Sequence, residues 1–287
     1  MADITAQAVN EFRKRTGLGL MECKALLKEA DGDPGKAETL AKERNLTKAM
    51  GRAGRAATAG RVEVLLRPDG KSGALIELGC ETDFVARNDD FRQAARDLAE
   101  HLLEGGEGSA SPEAKFHKDP SKTLKDILID MGVRTGENVT LVRSARYVVE
   151  GPGRVDAYVH HDAKSGALVE VHGEADAALV KDLALQVVAA KPLCVRREEM
   201  PAAEVAEQRR IFLTQAADKP ENVREKIAAG KLDSWFAENA LMDQVTVKDS
   251  GKKVRDVVAA AGQGITVARF ARFVIGEAVE ANPSPHL

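Results

Sequence analysis

The spacing of apolar and polar positions changes character along the chain and divides it into stretches of different predicted structure. In the first fifty residues it predicts three short helices. Thr5 caps one running to about Thr16, and Gly17 and Gly19 break it. Leu20 to Ala30, with Leu26 and Leu27, forms a second, and Asp33-Pro34 opens a third near Leu40. From Lys48 to Gly60 the chain is rich in Gly, Ala and Arg and has little to bury, which suits a linker or an extended helix end.

Beyond Gly60 the pattern repeats. Gly60-Arg61-Val62-Glu63 recurs 93 residues later as Gly153-Arg154-Val155-Asp156, and Lys71-Ser72-Gly73-Ala74-Leu75-Ile76-Glu77-Leu78 recurs at the same offset as Lys164-Ser165-Gly166-Ala167-Leu168-Val169-Glu170-Val171. Each copy reads strand, Gly-containing turn, strand. A helix follows in both, with Asp97-Leu98-Ala99 matching Asp182-Leu183-Ala184. The copies meet again at Leu124–Leu128 against Val254–Val258, and at Val139–Val148 against Ile265–Val274. The predicted fold class is α+β: a three-helix module, then a duplicated core of small antiparallel sheets covered by helices. The boundaries expected are 1–54 for the module, 55–149 and 150–280 for the two copies, and 281–287 for a disordered tail.

The changing offset shows what each copy has alone. The first has eight extra residues inside Cys80–Phe91; the second has 45, between Ala190 and Lys252. The larger insertion reads as a protruding helical hairpin over about 191–245. Its expected helices are Pro201 to Ala217, Glu221 to Ala229 ended by Gly230, and Leu232 to Leu241. Additions to a duplicated scaffold are where separate function tends to sit.

Composition narrows the function. Charged residues are 30% of the chain but balance to a net charge of −3, which argues against a general polyanion binder. Cys23, Cys80 and Cys194 are far apart with no CxxC pair, so zinc or dithiol chemistry is not indicated and a reducing cytoplasm fits best. The N-terminus lacks the pattern of a signal peptide, and no stretch approaches a membrane span of about 20 apolar residues.

Signals of chemistry are weak. Gly51-Arg52-Ala53-Gly54-Arg55 lacks the Gly-Lys-Ser/Thr ending of a phosphate loop, Gly105-Gly106-Glu107-Gly108 is a plain loop, and the stretch from Glu104 to Pro120 reads as irregular. His160, His161 and His172 fall in the strands of one copy, but neighbours on a strand face opposite ways and no third metal ligand accompanies them. Asp31-Gly32-Asp33 is a turn and helix cap rather than a calcium loop. No cofactor or metal is expected.

The first copy's insertion places Thr82-Asp83-Phe84-Val85-Ala86-Arg87-Asn88 just after a strand. A local reading makes Thr82 or Asp83 a helix cap, with Phe84 and Phe91 packed underneath. A functional reading projects Phe84 as an apolar wedge, with Asp83 and Arg87 supplying polar contacts, a composition common at interface hot spots.

This segment resembles the signature of the elongation factor Ts family. So does Arg15-Thr16-Gly17-Leu18-Gly19-Leu20-Met21-Glu22-Cys23-Lys24-Ala25-Leu26 near the start. The similarity extends from Ala2 to about Glu280. It implies a guanine-nucleotide exchange factor that binds elongation factor Tu·GDP and promotes GDP release, with Asp83 and Phe84 entering the partner near its magnesium site and disturbing the phosphate loop. The resemblance further implies a UBA-like N-terminal module docking through Leu20 and Met21, partner contacts from Thr82, Val85, Arg87, Asn88 and His160, and a cytoplasmic protein that binds neither nucleotide nor nucleic acid itself. In longer relatives a helix continues past the last strand, whereas here Ala281-Asn282-Pro283-Ser284-Pro285 stops it. The competing reading is an RNA- or ribosome-associated protein using the basic stretch Lys48–Arg55; only 2 of 287 residues are Tyr, which leaves little for base stacking. A histidine-centred metalloenzyme is a further alternative.

Overall fold

The computed structural model describes residues 4–106 and 108–278. The expected tail 281–287 lies outside them. The chain opens with helices α1 (Ala6–Thr16), α2 (Leu20–Glu29) and α3 (Pro34–Met50). The Thr5 hydroxyl accepts the Ala8 N–H, Asp33 accepts those of Gly35 and Lys36, and Gly17 takes the left-handed conformation that closes α1 (φ 69°). Val9, Phe12, Leu18, Cys23, Leu26, Leu27, Ala37 and Ala41 form one small core. Val133 of the first copy packs against it, and the Arg52 guanidinium donates to the Gly132 carbonyl at 3.0 Å.

The first copy consists of β1 (Ala59–Leu66), β2 (Ser72–Cys80), α4 (Asp83–Arg87), α5 (Asp89–Gly105), β3 (Lys115–Phe116), β4 (Asp119–Thr123), α6 (Leu124–Thr135) and β5 (Thr140–Val148). The second consists of β6 (Gly153–Val159), β7 (Ser165–His172), α7 (Ala177–Ala190), α8 (Ala202–Gln215), α9 (Glu221–Asn239), α10 (Val254–Ala261) and β8 (Thr266–Val274). The main sheets are antiparallel, ordered β1-β2-β5 and β6-β7-β8, with helices over one face of each. The duplication extends to irregularities: the register shifts between Glu77 and Leu78 in β2, and at the matching Glu170 and Val171 in β7.

Alternation along the strands explains the layering. In β2, Ala74, Ile76 and Leu78 face the helices of their own copy, while Leu75 faces the other sheet; in β7, Ala167, Val169 and Val171 match the first set and Leu168 the second. The shared middle layer contains Val62, Leu75, Tyr147, Val149, Val155, Ala157, Leu168 and Phe273. Contacts across it recur with the copies exchanged. The Val62 N–H donates to the Ala163 carbonyl, and the Val155 N–H to that of Gly70, both at 2.7 Å. Arg143 lies over the Phe273 ring at 4.7 Å and Arg269 over the Tyr147 ring at 4.2 Å. Each arginine also pairs with a buried glutamate of its own sheet, Glu77 at 2.5 Å and Glu170 at 2.8 Å. Burial pushes the Glu77 carboxyl above its ordinary range, against the pull of Arg143.

Three expectations need correction. Gly230 does not end a helix: α9 runs through it without a break. A mid-helix glycine costs only about 1 kcal/mol relative to alanine, and the facing α8 holds this one in register through Arg209–Glu225 and the Lys231–Gln215 hydrogen bond across the hairpin. The stretch from Glu104 to Pro120, expected to be irregular, contains the β3–β4 hairpin, with Pro120 tolerated because β4 is an edge strand. Finally, β6 stops at Val159, so His160 and His161 stand in the following turn with their rings 4.3 Å apart, not on opposite faces of a strand. His172 pairs with Gly153 at the opposite end of that sheet.

The β3–β4 hairpin is pinned by His101 of α5. Its Nδ1 accepts the His117 N–H at 3.2 Å, so its Nε2 bears the proton and donates to the Ser109 carbonyl at 2.9 Å. Burial first, and the neighbouring His117 second, push the His101 pKa below its usual value.

Two outcomes are expected. A side chain at Gly73 would meet Leu66 Cδ2 at 2.6 Å and Leu168 Cδ1 at 2.9 Å between the sheets. Gly73→Val should therefore lower unfolding free energy by about 1–3 kcal/mol in urea titration. Because the unfolded chain protonates His101 more readily, stability is present above about pH 6.5 and is lost as pH falls from there toward the lowered folded-state value. His101→Gln should flatten that part of the pH–stability curve.

Candidate functional site

The eight-residue excess of the first copy becomes α4 and its flanks. Strand β2 delivers Cys80, and burial, reinforced by the charge of Glu137, pushes the Cys80 thiol up to about 12, so it is not a nucleophile at neutral pH. Thr82 is the N-cap of α4, its hydroxyl accepting the Val85 N–H at 3.4 Å. Asn88 ends α4 and caps α5, its side chain accepting the Asp90 N–H at 2.8 Å. Ala86 is buried and Val85 is half-buried against the first copy's core, while Phe91, one turn into α5, is 1% exposed.

Phe84 goes the other way. It is 90% exposed, so only one of the two aromatics packs underneath. A lone exposed leucine is ordinary; a phenylalanine held almost wholly in water on a short capped helix forgoes about 1.5–3 kcal/mol of burial. Beside it, the Asp83 carboxylate meets Lys164 Nζ at 3.0 Å. Lys164 belongs to the β6–β7 turn that also holds His160 and His161, so this pair brings the insertion of the first copy and the turn of the second together. His160 Nδ1 lies 3.2 Å from the Tyr158 hydroxyl. Arg87 is exposed and has no ion pair among the described residues.

Leu20 and Met21 open α2 and are 48% and 75% exposed. They form a second apolar surface on the three-helix module, next in sequence to a cleft lined by Asn10, Arg13, Lys14 and Gly17. The basic stretch considered for RNA is largely occupied: Lys48 pairs with Glu22, Arg52 with the Gly132 carbonyl and Arg55 with Glu81. No group of three metal-ligating side chains occurs among the described residues, and no described helix is long and apolar enough to cross a membrane.

Sequence reasoning overlooked Lys164 and Glu137. Lys164 was visible only as a repeat residue; its counterpart Lys71 donates instead to the Gly151 and Gly153 carbonyls. Glu137, in the α6–β5 turn, accepts hydrogen bonds from the Glu81 and Thr82 N–H groups and from the Thr82 hydroxyl. It is 55 residues from Thr82 in sequence, a separation that leaves no local signal.

A duplicated α+β core thus carries a helical hairpin on its second copy and holds Phe84, Leu20 and Met21 out in solvent. The family model described as Elongation factor TS matches residues 81–277. The chain is 36% identical over 286 residues to the Elongation factor Ts of Aquifex aeolicus, covering 95% of this chain and 98% of that one. It is 38% identical over 282 residues to the Elongation factor Ts of Nitrosomonas eutropha, covering 98% and 94%. The chain belongs to the elongation factor Ts family, whose members are elongation factors of protein biosynthesis.

The Lys164–Asp83 pair is half-exposed, so Lys164→Ala should cost no more than about 1 kcal/mol of stability. A double-mutant cycle with Asp83→Ala, followed by urea unfolding, should give a coupling that shrinks in about 1 M salt.

Proposed function

We propose that this chain is a guanine-nucleotide exchange factor that binds elongation factor Tu·GDP and promotes GDP release, so that GTP can rebind during translation elongation. The observation that carries this reading is Phe84, 90% exposed on the capped helix α4 with Asp83 beside it. Phe84 enters the partner's nucleotide domain as an apolar wedge, and Asp83 acts near the magnesium ion, displacing it and disturbing the phosphate loop. The three helices serve as a UBA-like docking module through Leu20 and Met21, while Arg87, Asn88 and His160 contribute at the rim. Thr82 and Val85 hold the wedge upright.

On this reading the protein acts through binding and has no bond-making chemistry of its own. Factor and nucleotide each weaken the other's hold on the partner, and that coupling is reciprocal. Each tenfold acceleration of release requires about 1.4 kcal/mol of barrier reduction. Interface energy from separate docking surfaces must therefore be spent on distorting the partner. The spread of exposed apolar tips over the N-terminal module and the first copy supports such division of labour. The RNA reading is disfavoured because Lys48, Arg52 and Arg55 are engaged within the chain.

Stopped-flow release of a fluorescent GDP from elongation factor Tu tests this. The unmodified protein should accelerate release, and Phe84→Ala should lower the maximal rate by roughly thirtyfold, the equivalent of an interface hot spot of about 2 kcal/mol. Asp83→Ala should also slow release while complex formation persists. No acceleration by the unmodified protein would refute the proposal.

A further inference from the structure

We propose that Glu137 is a positioning residue for exchange: its carboxylate clasps the root of α4 and aims Phe84. The inference rests on the exchange-factor reading. One oxygen accepts the Glu81 N–H at 2.9 Å and the Thr82 N–H at 3.1 Å, while the other accepts the Thr82 hydroxyl at 2.6 Å. The tie is returned, because the Asn138 N–H donates to the Glu81 carboxylate at 2.6 Å. Two adjacent residues of the α6–β5 turn thus bind two adjacent residues at the start of the insertion.

The clasp answers a physical need. A helix of five residues is far below the length at which helices persist alone in water, and Phe84 gains nothing from packing in the free protein. What remains to fix its direction is the backbone at Thr82, the burial of Ala86 and half of Val85, and the half-exposed Asp83–Lys164 pair. Hydrogen bonds to an ionised acceptor are roughly twice as strong as neutral ones; two of the three come from Thr82, the residue that caps α4, and the third from Glu81 beside it. A wedge aimed in advance spends less of its binding energy on ordering itself when the partner arrives.

The duplication supplies an internal control. In the second copy the turn corresponding to Gly136-Glu137-Asn138 is Gly262-Gln263-Gly264, by the alignment that pairs Val139 with Ile265. That copy has no counterpart of α4 between β7 and α7, and Gln263 makes no side-chain hydrogen bond among the described residues. There Gly264 instead comes close against Gly173, its carbonyl 2.6 Å from where a Cβ on Gly173 would stand. The carboxylate is present in the copy that has a wedge to hold and absent from the copy that lacks one.

Glu137→Gln keeps the shape of the side chain but removes its charge and one of its acceptor oxygens. With increasing factor concentration in the GDP-release assay, the maximal rate should fall by about tenfold, as misplacement of an acting group does, and by no more than the loss in Phe84→Ala, since Glu137 acts through Phe84. The half-saturating concentration, set by the other docking surfaces, should change less than about twofold, a split that general loss of structure does not produce. Phe84→Ala combined with Glu137→Gln should be no slower than Phe84→Ala alone. An unchanged maximal rate in Glu137→Gln, or the same further fall in the Phe84→Ala background, would overturn the proposal. Amide hydrogen exchange of the free protein is read in parallel. Glu137→Gln should speed exchange at Glu81, Thr82 and α4 and leave β2 and α5 unchanged. If the unmodified protein fails to release GDP, the exchange-factor reading falls, and this amide pattern still decides whether Glu137 holds the helix; unchanged protection there refutes the clasp.

Discussion

Two three-stranded sheets approach so closely that side chains are excluded at Gly73 and Gly166, and much else in the molecule follows from that contact. Each central strand is buried on both faces, so neither copy can stand with its inner face in water. The buried Glu77–Arg143 and Glu170–Arg269 pairs, each arginine stacked on the other copy's aromatic ring, add direction to an otherwise apolar layer. Pairs of this kind contribute less to net stability than to the choice of register, and here the same register shift occurs beside both glutamates.

The fused core makes the two insertions useful. Helix α4 and the β6–β7 turn come from different copies, yet Asp83 and Lys164 meet because the sheets hold their ends in fixed relation. The α8–α9 hairpin leaves the second copy as an arm whose root is fastened by buried groups. Asp243 pairs with Arg197 and Arg255, and Gln244 bonds to the Gln186 side chain and the Ala190 carbonyl. Both additions therefore have anchored bases and exposed tips.

The local elements were legible in the sequence wherever a local rule governs. Thr5 and Asp33 cap the helices the sequence assigns to them, Gly17 closes α1, and the 93-residue repeat corresponds to two sheets of the same order. Where a distant neighbour outweighs the local preference, sequence reasoning went astray. Gly230 reads as a helix stop but is overruled by pairing across the hairpin, and the His160–His161 pair lies beyond the strand that sequence reasoning placed under it.

The amino-acid sequence by itself determined the order of the main strands and helices of each copy, the duplication, the positions of both insertions and the motif at Thr82–Val85, because these depend on residues close together or on a pattern repeated along the chain. Tertiary structure alone decided that Phe91 turns inward and Phe84 outward, that Lys164 reaches Asp83, and that Glu137 grips Thr82. Those outcomes depend on which surfaces remain after two sheets and their helices have packed. That remainder is fixed by contacts between residues tens of positions apart, which no local pattern encodes.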